Sequence, residues 1–171
     1  MYVSLQQLPA NCYIDSLGII AQESRVDYPT AYGWHEGEYL SNNGDTSYSK
    51  FEYEYDPNDW HFKMGDNGSW SGLAYIFDFP RSRKVISDFS GRLQTVNVHF
   101  EYEALVSNLS GIIPFSVSSN YDHTVTTINI DTSFGVSLST SPSIGFNFDI
   151  NVETLVHRRI CMLDQQLIYY P

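Results

Sequence analysis

Between Ile128 and Glu153, apolar and polar residues alternate almost without interruption. Even positions read Ile128, Ile130, Thr132, Phe134, Val136 and Leu138, then Ile144, Phe146, Phe148, Ile150 and Val152. The odd positions are Asn, Asp, Ser, Gly and Glu throughout. Period two is the pattern of a strand with one buried face. Thr140, Ser141 and Pro142 divide the two runs, so the segment predicts a long antiparallel β-hairpin over 126–154 with a polar tip. Burying one large apolar side chain stabilises a fold by about 2 kcal/mol, so the even face requires an apolar partner. A second sheet, a neighbouring subunit or a lipid bilayer would each serve.

Other segments repeat the strand pattern. Phe51, Tyr53 and Tyr55 alternate with Glu52, Glu54 and Asp56, and Val96, Val98, Phe100, Tyr102 and Ala104 alternate with Asn97, His99, Glu101 and Glu103. Residues 60–64 and 70–79 predict two more strands joined at Asp66-Asn67-Gly68, the turn chemistry a hairpin prefers. Residues 112–118 read as a short strand broken by Pro114, and 155–170 as one or two closing strands. Residues 1–22 show no clean period and read as an irregular lead-in with short strands. Residues 27–47, rich in Gly, Asn, Asp and Tyr, read as turns and loops, and 80–89 as a short helix or an irregular crossover. With roughly eight to ten strands and at most one short helix, the expectation is all-β: an antiparallel two-sheet sandwich of jelly-roll type. The even face of the hairpin is expected to pack on Phe51, Tyr53, Tyr55 and the 96–104 strip. No linker divides the 171 residues, so one domain over 1–171 is expected.

Charge excludes some functions. The formal net charge is −11 with nine Lys and Arg, and the main basic cluster is Arg81, Arg83 and Lys84. Phosphate neutralisation supplies most nucleic-acid affinity, so direct nucleic-acid binding is not expected and the cluster reads as a solvated turn. The same charge disfavours anionic membranes. No apolar run reaches the length of a membrane-spanning helix, and the first residues lack the layout of a secretory signal. Cys12 and Cys161 therefore read as free thiols rather than a disulfide.

Catalytic motifs are missing. Gly68-Ser-Trp-Ser-Gly72 puts Trp70 where a nucleophile elbow needs serine. Glu52, Glu54, Glu101 and Glu103 fall on the polar sides of amphipathic strands, where solvation explains them. His35, His61, His99, His123 and His157 form no metal-ligand spacing, and Asx-rich turns account for Asp45, Asp56, Asn58, Asp59 and Asp66, so the sequence names neither a cofactor nor a metal. Trp34, Trp60, Trp70, Tyr32 and Tyr39 lie in segments read as loops or their borders. They could stack on sugar rings or fill a subunit interface.

The 126–154 hairpin resembles the insertion hairpin of β-pore-forming toxins in its Ser/Thr-rich alternation and its polar tip, Ser139 to Ser143. That resemblance would imply membrane insertion. Its strands lack the aromatic girdles of membrane barrels, however, and the rest of the chain leaves little room for a receptor module. The leading expectation is a non-enzymatic structural subunit that self-assembles through β-sheet surfaces, most simply as a homo-oligomer. A virion coat, tail or accessory component is the expected setting, with a cytoplasmic stage before assembly. A carbohydrate-binding module and a pore-forming protein are the alternatives.

Overall fold

A computed structural model describes residues 1–5, 14–22, 24–25, 30–103, 105–106, 112–124, 134–137, 142–146 and 156–168. Among them there is no helix; two antiparallel sheets pack against each other and one is curled, as in a β-sandwich. With strands numbered in chain order, the first sheet runs β1 (Tyr2–Leu5), β9 (Phe89–Tyr102), β4 (Ala31–Ser41), β5 (Thr46–Glu54), and β8 (Arg83–Ile86) also pairs with β9. The second runs β14 (Val156–Ile168), β11 (Ile112–Thr124), β2 (Ile14–Gln22), β7 (Trp70–Asp78), β6 (Phe62–Asn67). Two small ribbons pair β3 (Ser24–Arg25) with β10 (Leu105–Val106), and β12 (Phe134–Ser137) with β13 (Ser143–Phe146).

The core lies between the sheets. Leu17, Leu73, Tyr75 and Phe77 of the second sheet meet Val96, Val98 and Phe100 of the first. The expected hairpin turn at Asp66-Asn67-Gly68 forms, and a second turn joins β4 to β5, with Gly68 and Gly44 at positive φ (65° and 89°). Strand β9 changes its inward parity between Leu93 and Val96 because its register against β4 slips at Glu38/Tyr39. Such a bulge adds local twist, which is the physical source of the curl at this end of the first sheet. Past the bulge, β8 folds back until Lys84 Nζ donates to the Tyr48 carbonyl of β5 at 2.5 Å.

Several expectations need correction. Residues 31–41 are not loop but the central strand of the first sheet. Its inward positions are Ala31, Gly33, His35, Gly37 and Tyr39, so a buried face is present without an apolar stripe. A Cβ on Gly33 would lie 2.6 Å from the Tyr75 ring, so the strand needs glycine there to let that ring approach. Residues 14–22 form a nine-residue strand, and the missing alternation has a reason: β2 is covered on both faces. Residues 80–89 contain strand β8 and a tight turn rather than a helix. Pro114 does not break β11; it lies in the part of that strand that precedes the pairing with β2.

The second cover of β2 is the hairpin. Its described part pairs Phe134 with Phe146 and Val136 with Ile144, which keeps the even positions on one face as the alternation requires. Ile128, Ile130, Leu138, Phe148, Ile150 and Val152 lie outside the described residues, as does Cys12. The partner of that face is not the Phe51, Tyr53, Tyr55 and 96–104 surface. Val136 and the fully buried Ile144 pack instead with Ile20, Ala74 and Trp70 on the far side of the second sheet. Gly18 and Gly65 make the seat shallow: a Cβ on Gly65 would meet Val136 and Ile144 at 2.6 and 2.7 Å. A buried carboxamide fixes the position, as Ile144 N–H donates to Asn120 Oδ1 at 3.2 Å. The seat is partly polar: the buried hydroxyls of Ser16 and Ser118 have no hydrogen-bond partner among the described residues.

Ile144→Ala is predicted to lower unfolding free energy in urea by about 2–4 kcal/mol, because the sheet beneath cannot collapse into the space left. Ile86→Ala, at a position 52% exposed, should change it by less than about 0.5 kcal/mol. Equal effects at the two positions would contradict a seated hairpin.

Candidate functional site

The curl of the first sheet leaves a cavity of about 700 Å³ at its end. Inward-facing residues of β4 and β5 form one wall: His35, Tyr39, Ser49, Phe51 and Tyr53. The chain leaving β7 forms the other, through Asp78, Phe79, Pro80, Arg81, Arg83, Lys84 and Val85, with His61 and Ile14 closing the inner side. Pro80 is drawn in because Gly37 of β4 leaves room: a Cβ there would meet the Pro80 ring at 3.1 Å.

Aromatic rings connect this cavity to the core. Phe77 stacks on His35 at 4.9 Å, and Phe51 lies on His35 at 5.1 Å. Tyr53 stacks on His61 at 3.6 Å, and Trp60 lies 4.1 Å from His61. His35 is 4% exposed, and its Nδ1 is 2.8 Å from the Tyr75 hydroxyl. Burial, followed by the charge of nearby His61, pulls the pKa of His35 down to about 4, so it is neutral at pH 7. Burial likewise pushes the Tyr75 phenol well above its ordinary range. His61 is oriented by Asp59, whose Oδ1 lies 2.6 Å from Nδ1. Burial opposes ionisation of Asp59, but the backbone and ring N–H groups of His61 outweigh it and hold the carboxyl below its usual range.

Behind Phe79 lies a buried polar cluster. Asp15 accepts from the Tyr121 hydroxyl, and its Oδ1 lies 2.8 Å from His123 Nδ1. Phe79 meets the His123 ring edge-on at 5.8 Å. Desolvation raises the pKa of Asp15 despite its partners, His123 first among them. Asp15 and His123 face one another as register partners on β2 and β11, and both are buried. Their geometry pins two strands together at the end of the core.

The five aromatics singled out from the sequence do not converge. Tyr32 and Trp34 project from the outer face of the first sheet. Trp34 is flanked by His99 at 5.7 Å and by Lys50 Nζ at 4.8 Å, while the Tyr32 hydroxyl donates to Glu52 at 2.5 Å. Trp70 packs beneath the hairpin, Trp60 against His61, and only Tyr39 lines the cavity. A second, open cup of about 750 Å³ at the opposite end of β4 joins Tyr32, Tyr55 and Tyr102 with Glu54, Glu101 and Glu103. Among the described residues, no group of three or more His, Cys, Asp or Glu could hold a metal ion. No helix among them is long and apolar enough to cross a membrane. The expected solvated turn at Arg81, Arg83 and Lys84 instead borders the cavity. The available signal was its position, the main basic cluster of an acidic chain directly after Phe79-Pro80.

No family model matches this sequence, and no curated protein matches it either.

The His35 shift predicts a pH dependence of stability. Its folded pKa lies below its unfolded value, so the unfolded chain binds the extra proton and stability falls as pH drops from 6.5 towards 4. Between pH 6.5 and 5, this one group should remove on the order of 2 kcal/mol. Urea unfolding of His35→Phe across that interval should show a shallower slope than the parent, whatever its absolute stability. An unchanged slope would show that His35 does not carry the effect.

Proposed function

We propose that this chain is a non-enzymatic structural subunit that assembles with copies of itself through its sheet surfaces. The supporting observation is where exposed apolar side chains gather. Among the described residues, the large exposed ones are Leu40, Tyr48, Phe51, Met64, Val85 and Ile86, and all but Met64 belong to β4, β5 and β8 at the curled end, Leu40 and Tyr48 on the outer face and Phe51 and Val85 at the cavity. Apolar exposure concentrated at one end of a fold marks an interaction site more often than scattered exposure does. The edge of β5 is a weaker candidate for strand addition, because it carries Lys50, Glu52 and Glu54, and charged edges resist pairing. Assembly through the apolar end thus fits better than endless sheet extension.

A virion coat, tail or accessory role remains the proposed setting, by analogy at the level of the fold. The charge of −11 fits an outer or accessory position better than one in contact with the genome. The sugar-binding alternative draws less support from the three tryptophans, which share no platform, and keeps only the acidic tyrosine cup. Pore formation would require Ile144 and Val136 to leave their seat on the second sheet.

Light scattering at rising concentration should give a defined oligomer or particle. Val85→Asp and Ile86→Asp together should weaken association about tenfold or more while leaving the unfolding midpoint of the dilute monomer unchanged. A strict monomer at millimolar concentration would overturn the proposal.

A further inference from the structure

We propose that the cavity at the curled end is a binding site for a small aromatic oxyanion, its ring lying against Phe51 and Tyr53 and its acidic group held by Arg81 and Arg83. The inference does not rest on assembly, since a monomer contains the whole site, although Phe51 and Val85 serve both readings.

Charge is the first argument. In a chain of net charge −11, three of the nine Lys and Arg residues border one cavity, opposed there by the carboxylate of Asp78 in the lining and by Asp59 behind His61. Gathering cations at a concave, partly apolar surface focuses a positive field into it, and an anion relieves their mutual repulsion. Lys84 is engaged with the Tyr48 carbonyl, and one guanidinium nitrogen of Arg83 donates to Ser90 Oγ at 3.0 Å. Among the described residues, the remaining Arg83 donors and the Arg81 guanidinium have no hydrogen-bond or ion-pair partner. Guanidinium groups in this state suit a carboxylate, sulfonate or phosphate.

The lining supplies the second argument. Phe51 is 48% exposed although it sits on the inward side of its strand, so its ring is open to whatever enters. The His35 ring, tied to the Tyr75 hydroxyl through Nδ1, adds a polar imidazole to the lining. A volume of about 700 Å³ is within the range of small-molecule sites. Planar aromatic walls and a cationic mouth together select a flat body with an acidic group.

The probe is 8-anilinonaphthalene-1-sulfonate, titrated by fluorescence against the full chain beside its uncharged counterpart N-phenyl-1-naphthylamine. The sulfonate should bind at one saturable site, weaken as salt rises, and bind at least about tenfold tighter than the neutral dye. Arg81→Gln and Arg83→Gln should each weaken it by roughly fivefold to tenfold. Lys50→Gln, which removes a cation from the outer face, should leave it unchanged. Phe51→Ala should weaken both dyes. Displacement by phenyl phosphate but not phenylacetate assigns a phosphate monoester, and the reverse assigns a carboxylate. Displacement by neither, equal affinity for the two dyes, or indifference to both arginine substitutions would overturn the proposal, while an oligomer failing to form would leave it standing.

Discussion

One side chain sets how the two sheets meet. The Tyr75 ring rises from the second sheet onto the backbone of β4 at Gly33, where no Cβ would fit, and its hydroxyl reaches His35 two residues along. Phe77, Phe62 and Phe100 pack around the same ring at 5.5 to 6.2 Å, so the centre of the core is a cluster of flat groups about one polar link. A buried hydroxyl needs a partner, and a buried imidazole does too; here each satisfies the other. The arrangement explains why the most central strand of the first sheet carries glycine and histidine where an ordinary core strand carries valine.

That choice decides what could be read from the sequence. Strands β5, β7 and β9 were legible because each has an apolar side opposite a polar or covered one. Strand β4 was hidden by close contacts in place of branched residues: the Tyr75 ring against Gly33 and His35, and Leu93 and Pro80 against Gly37. Strand β2 was hidden for the opposite reason. With a sheet on one face and the hairpin on the other, Ser16, Leu17, Gly18 and Ile20 are all covered and no period survives. The hairpin itself was legible, but its partner was not. Alternation shows that a face is buried without saying which of two apolar surfaces buries it, and here the small residues Gly18 and Gly65 decided.

The cavity was less legible than the fold. Its aromatics, Phe51 and Tyr53, read correctly as an inward strand face, and Tyr39 stood among the aromatics named as interface or ligand candidates. What brings them to Arg81 and Arg83 is the curl, and the curl comes from a register slip between Glu38 and Tyr39 opposite β9. A bulge is a relation between two strands, so neither strand's own pattern announces it. The basic cluster read as a solvated turn, but Arg83 and Lys84 belong to strand β8 and lie beside a wall that comes much earlier in the chain.

The curl is closed by a side chain. Lys84 reaches the Tyr48 carbonyl across the mouth, where a continuous sheet would have used a ladder of peptide groups. An ammonium on a flexible four-carbon stem tolerates ångström-scale changes in span that a backbone ladder does not. The end of the sandwich is thus built as a clasp: one side-chain bond joins β8 to β5, while the strands behind it are held by backbone ladders.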